Sequence, residues 1–317
     1  MLNFNSIFDY VFLIFIGFNI GILSGFFGIG GCFILTPLLN ILGLPITNAI
    51  GTGLAFSVIV SSFGGIKHYL AGNTIIKISL LVGFLAIIGV RVSQPIVIYL
   101  DSLNKADFYI RLIYIFLLMG LGIITLKKGL NNNYQFNTSK SKFINIVRNL
   151  PPLVKYGNDH KISFCVLVFI ALFVGFMQGL IGVGGGFVLL PIFILFLNMK
   201  THHAVGTSLL TILISSLFAS YLYMLSGKVV FVAAGLLGLG SFFGVNLGVE
   251  ATAKIEANKL KNFFAIFLIL ASFGIFFKVI HFNLFSAVYT LILCFSVTVF
   301  IILRYYFQIK FLSNNKG

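Results

Sequence analysis

The sequence predicts an all-α polytopic membrane protein: two inverted five-segment repeats with Gly-rich broken-helix turns, plus one extra C-terminal helix. Three observations predict it. Hydrophobic residues make up 59% of the 317 and charged residues only 9%, against about 25% charged in an average soluble domain. Apolar segments of membrane-crossing length recur along the chain between short polar breaks. One glycine-rich phrase, GFFGIGGCFILTP at 25–37, returns as GLIGVGGGFVLLP at 179–191 with seven of thirteen positions identical.

The apolar segments run 9–27, 31–44, 47–68, 75–98 and 108–126, then 162–181, 185–198, 203–225, 229–249 and 260–280, with a final one at 284–309. Most reach the ~20 residues that cross ~30 Å of hydrocarbon as a helix. Segments 31–44 and 185–198 reach only about 21 Å, and both follow a glycine cluster. The first 30 residues lack a basic start and a small-residue cleavage site, so the first segment is expected to stay as a membrane helix. This divides the chain into a first repeat (1–126), a polar linker (127–161), a second repeat (162–281) and an additional helix and tail (282–317).

The repeat extends beyond the glycines. Gly21, Gly25, Gly28, Gly30, Gly31, Phe33 and Pro37 match Gly175, Gly179, Gly182, Gly184, Gly185, Phe187 and Pro191 at a constant offset of 154. After one inserted residue, AIGTGL (49–54) matches AVGTSL (204–209), and Ser61 matches Ser216.

Charge bears on orientation. With five crossings per half and the linker in the cytoplasm, 16 basic residues fall inside and 4 outside, with Arg91 inside a segment; if the short segments dip in and return, the split becomes 11 against 9. The positive-inside rule favours the first arrangement, which inverts one half relative to the other, a recurrent construction of secondary transporters. The net charge of +15 is spread over short connections and the linker with no basic stripe, so the partner is the bilayer, not nucleic acid.

The glycine clusters carry the candidate chemistry. A Gly-rich turn before a short helix leaves its first N–H groups free, and with the helix dipole they make a site for an anion. Inside the membrane such backbone is tolerated only where it is packed in protein or lines a watery cavity. Gly28, Gly30, Gly31 and Cys32 form the first candidate turn, and Gly182, Gly184, Gly185 and Gly186 the second. Polar residues at the start of the next segment are candidates to contact the same ligand: Asn48, Thr52 and Ser57 in one half, His203, Thr207 and Ser208 in the other. Their side chains either donate to an anion or bond back to their own helix. Gly17, Gly21 and Gly175 read instead as small-residue helix contacts; Gly175→Ala is expected to be mild, whereas Gly185→Leu is expected to stop transport in a folded protein.

These residues give the chain its likeness. The paired phrases GFFGIGGCFILTP…AIGTGL and GLIGVGGGFVLLP…AVGTSL, each followed by a Gly-Asn or Gly-Lys turn at 72–73 and 227–228, resemble the sulfite exporter TauE/SafE family over residues 8–281. The resemblance implies a membrane anion transporter in the bacterial inner membrane that exports sulfite or organosulfonates. Cys32 departs from the pattern where the second run has glycine. Import of another small anion or organic acid remains an alternative, as does a membrane enzyme or assembly factor. A non-enzymatic protein without cofactor or metal is expected, because the five histidines are scattered and the three cysteines lack ligand spacing.

Overall fold

A computed structural model describes residues 7–130, 151–156, 160–197, 199–254 and 257–314. The first half contains α1 (Ile7–Phe27), α2 (Cys32–Ile41), α3 (Ile46–Leu70), α4 (Ile76–Ser102) and α5 (Ala106–Leu130). The second contains α6 (Phe164–Ile181), α7 (Gly186–Leu195), α8 (Thr201–Leu225), α9 (Phe231–Lys254) and α10 (Ala257–Val279), with α11 (Asn283–Asn314) beyond it. Among the described residues nine helices are long and apolar enough to cross a membrane, and α2 and α7 are the two short ones. One element is additional to the helices: strands β1 (Leu153–Tyr156) and β2 (His160–Ser163) pair antiparallel at the end of the linker. Positions 131–150 and 157–159 of the linker lie outside the described residues.

Lipid-facing surfaces are as apolar as the interior. On α4, Phe84, Ile88 and Val92 are 60%, 53% and 56% exposed and stack at i, i+4 spacing. A stripe of that kind marks a surface that meets hydrocarbon or another apolar partner.

The two halves interleave. Gly17, Gly21 and Gly25 of α1 lie against Leu237, Ser241 and Val245 of α9, so the two helices run parallel with backbones in contact. Gly175 and Gly179 of α6 meet Ala86 and Val90 of α4 in the same way. Each half's first helix therefore packs on the fourth helix of the other half. Helices α3 and α8 also touch, Gly51 by Tyr223 and Gly64 by Leu209, which makes these two repeat-equivalent helices antiparallel.

The small-residue reading of Gly17, Gly21 and Gly175 fits these contacts, but the expected mildness of alanine does not. A Cβ on Gly175 would collide with the Ala86 carbonyl oxygen and stand 2.7 Å from the Ala86 carbonyl carbon. Ordinary carbon contacts are about 3.5–4.0 Å.

Charged groups gather at the helix ends. Lys67 at the end of α3 pairs with Glu250 of α9 at 3.7 Å. Near the opposite end of α3, Lys228 pairs with Asp101 at 2.8 Å, and Thr47 donates to the same carboxylate at 3.2 Å. Asn40, in the last turn of α2, donates to Asp107 and accepts from Arg111, each at 2.9 Å. The first repeat's short helix thus ends among the charges at one face.

Candidate functional site

The turns between α1 and α2 and between α6 and α7 are built on left-handed glycines. Gly28, Gly30 and Gly31 have φ of +69°, +70° and +75°, and Gly182, Gly184 and Gly185 have +69°, +63° and +74°. An L side chain in that region costs roughly 1–2 kcal/mol, which explains why both runs keep glycine at the same three places.

The turns meet at the centre of the molecule. A Cβ on Gly186 would lie 2.5 Å from the Cα of Ile29, so the backbones touch. Gly30 and Gly184 both face Ser57 and Ile212, which are themselves repeat-equivalent positions about halfway along α3 and α8. Phe33 and Phe187 stack at 6.0 Å and 18° beside them. Each turn also reaches the other half's third helix: a Cβ on Gly28 would stand 2.8 Å from the Cα of Val205, and one on Gly182 2.9 Å from the Cα of Ile50.

Hydrogen bonds treat the two polarities of this backbone differently. The carbonyls around the turns accept from hydroxyls: Phe26 from Thr252 at 2.7 Å, Gly28 from Ser208 at 2.6 Å, Gly30 from Ser57 at 2.8 Å. In the second turn Gly179 accepts from Tyr223 at 2.7 Å, Ile181 from Tyr114 at 2.7 Å and Gly182 from Thr36 at 3.2 Å. At the N-termini of α2 and α7, by contrast, the N-cap residues are Gly31 and Gly185, and among the described residues no side chain caps the free amides. Acceptors are consumed while donors stay available, which leaves a positive local potential without any charged side chain.

The polar candidates separate into three groups. Cys32 is fully buried, its thiol against Ser57 at 2.6 Å and donating to the Gly53 carbonyl. Ser208 and Ser57 spend their protons on turn carbonyls. Thr52 and Thr207 make a reciprocal pair: Thr52 accepts from the Val230 amide at the start of α9, and Thr207 from the Ile75 amide at the start of α4, each at 3.0 Å. Neither threonine bonds back to its own helix through these contacts; each satisfies a helix start in the opposite half. Asn48 and His203 are half-buried in the first turns of α3 and α8. Nine residues separate Asn48 from Ser57, about 13 Å along the helix, so these two stand at the ends and not where the turns meet. Arg91, by contrast, is exposed on α4.

Replacing Thr52 or Thr207 by valine is expected to lower stability by about 1–3 kcal/mol, because a buried amide loses its acceptor. Thermal melting of the purified protein checks this; serine at either position restores the acceptor and most of the loss. Valine variants that melt with the wild type would remove the threonines from the architecture.

Tyr114 and Tyr223, both fully buried, escape the sequence reading. The available signal was a tyrosine hydroxyl inside an apolar segment, which must find a partner there.

Among the described residues nine membrane-length helices fold around two facing glycine turns, which makes this an integral, multi-pass membrane protein, and its family and relatives make it a membrane transporter. The chain belongs to the TauE/SafE family: the family model described as "Sulfite exporter TauE/SafE" matches residues 13–275. It is similar to "Probable membrane transporter protein YunE" of Bacillus subtilis, 26% identical over 83% of this chain and 95% of that one. "Probable membrane transporter protein YdhB" of the same organism is 28% identical over 83% and 98%. A "Probable membrane transporter protein" of Haemophilus influenzae is 25% identical over 83% and 96%. No solved structure matches the chain.

Proposed function

We propose that this protein exports small anions, sulfite or organosulfonates, across the bacterial inner membrane through the site where its two glycine turns meet. The observation that carries the reading is the one-sided hydrogen bonding: six turn carbonyls bonded to hydroxyls, two helix N-termini uncapped. Gly28, Gly30, Gly31 and Cys32 with Gly182, Gly184, Gly185 and Gly186 supply the backbone of the site; Thr52, Thr207 and Ser208 hold it, and Asn48 and His203 flank its two approaches. A pyramidal or tetrahedral oxyanion suits a cluster of amide and hydroxyl donors.

Export is the economical direction. The described acidic residues, Asp9, Asp101, Asp107 and Glu250, stand towards helix ends. An inside-negative potential favours exit of each negative charge by about 2.3 kcal/mol per 100 mV. The antiparallel contact of α3 with α8 supports a two-fold axis in the membrane plane, with repeats 1–126 and 162–281 inverted about it and linker 127–161 in the cytoplasm.

Purified protein in liposomes loaded with radiolabelled sulfite tests the function. Potential-driven release that methanesulfonate inhibits is the expected result; liposomes that release neither sulfite nor a sulfonate overturn it. For orientation, a cysteine at Asn104 is expected to react with an impermeant thiol reagent in intact cells and one at Asn137 is not, with Cys165 changed to serine. The opposite labelling pattern overturns the inverted arrangement.

A further inference from the structure

The two turns have the same backbone but different side chains standing over them. The residue four positions before the first left-handed glycine is Ser24 in one repeat and Gln178 in the other. Its counterpart on the third helix is Ser61 or Ser216. In the second repeat these positions are joined, Gln178 Nε2 donating to Ser216 Oγ at 2.7 Å. The Gln178 amide oxygen lies 3.7 Å from where a Cβ on Gly185 would stand, so the side chain lies across the N-terminus of α7.

In the first repeat nothing joins them. Ser24 and Ser61 are both fully buried, and neither hydroxyl has a hydrogen-bond partner among the described residues. Ser24 belongs to the N-terminus of α2: its Cβ is 3.5 Å from where a Cβ on Gly31 would stand. Buried polar groups are almost always paired, so two unpaired hydroxyls, Ser24 at this helix start and Ser61 at the position whose counterpart Ser216 is bonded to Gln178, are a costly arrangement for the protein alone. An acceptor that takes both protons, and the amides behind them, removes the cost.

We infer that the oxyanion is bound in the first repeat only, at the N-terminus of α2, with Ser24 and Ser61 donating to its oxygens, while Gln178 and Ser216 close the equivalent place in the second. This rests on the proposed function and deepens it: the pseudo-symmetric centre holds one anion, not two. The head group is an XO3-type oxyanion such as sulfite or a sulfonate, whose several oxygens accept from two hydroxyls and a helix start together. The Phe56 ring, with Cε1 2.8 Å from a Cβ position on Gly31, stands over the site and must turn aside to admit the anion.

The full-length protein in detergent and in liposomes, probed with radiolabelled sulfite, tests the assignment. Ser24→Ala and Ser61→Ala are each expected to weaken sulfite binding tenfold to hundredfold, as loss of a hydrogen bond to a charged ligand does. Without sulfite both variants are expected to melt at or above the wild-type temperature, since each removes an unpaired group. Ser24→Gln recreates the bridge to position 61 and is expected to abolish binding in a folded protein of raised melting temperature. Wild-type protein that binds sulfite, with serine variants of unchanged affinity, overturns this assignment and leaves the proposed function standing. Loss of sulfite binding in Gln178→Ala, with the serine variants unaffected, assigns the anion to the other repeat and likewise overturns it. Wild-type protein that binds none of sulfite, sulfate and methanesulfonate overturns both.

Discussion

Gly175→Ala is expected to lower the melting temperature sharply and to cut the yield of folded protein, although it adds a single methyl group. On propensity alone the change should help, since glycine costs about 1 kcal/mol relative to alanine inside a helix. The packing term opposes it and is larger. The atoms in the way, the carbonyl carbon, oxygen and Cα of Ala86, are backbone, so no side chain can swing aside and α4 and α6 must separate along their contact. Overpacking costs about 1–3 kcal/mol even where side chains can adjust, and here the backbone cannot. Gly120→Ala isolates the other term: nothing lies within 4 Å of a Cβ there, and its melting temperature is expected to hold or rise. Differential scanning of the two purified variants decides the matter; equal melting temperatures would mean that α6 is free to move away from α4.

Gly186→Val is expected to reduce sulfite flux at least a hundredfold. Gly186 opens α7 without a left-handed φ, so its backbone accepts any side chain and only space forbids one. That space is taken by the Ile29 backbone of the opposite turn and by the Ile212 side chain, with Cδ1 2.6 Å away. Restoring ordinary contact of about 3.5–4.0 Å moves one turn roughly 1 Å from the other. Gly185→Leu is a poorer probe than the sequence suggests, because at φ +74° it strains the backbone as well as filling space beside Val174. Flux in liposomes, normalised to protein that elutes as a single species in gel filtration, measures the effect. Wild-type flux from Gly186→Val would detach transport from the meeting of the turns.

Much of this architecture was legible because its causes are local or periodic. Membrane length and apolarity mark the nine long helices described, and the doubled glycine run marks the two breaks, since glycine holds φ near +70° at three places in each without the cost an L side chain carries. The cross-half packing was not legible. GxxxG spacing says that Gly17, Gly21 and Gly175 meet a backbone, but not that the backbone belongs to the other half. For the same reason Thr52 and Thr207 read as ligand contacts or self-bonded hydroxyls: a bond from Thr52 to the Val230 amide, 178 residues away, leaves no trace in spacing. Ser24 and Ser61 are visible as repeat positions, but only burial shows that their hydroxyls lack partners.

The exchange of helices between halves has a consequence during synthesis. Helix α6 is made after its partner α4 and finds it waiting, but α1 is made about 220 residues before the matching stretch of α9. At ~5–20 residues per second, α1 spends roughly 10–45 s in the bilayer without that partner. Throughout that interval the glycine face of α1 lacks the backbone it packs against in the finished fold, so this contact closes only after most of the second half has been inserted.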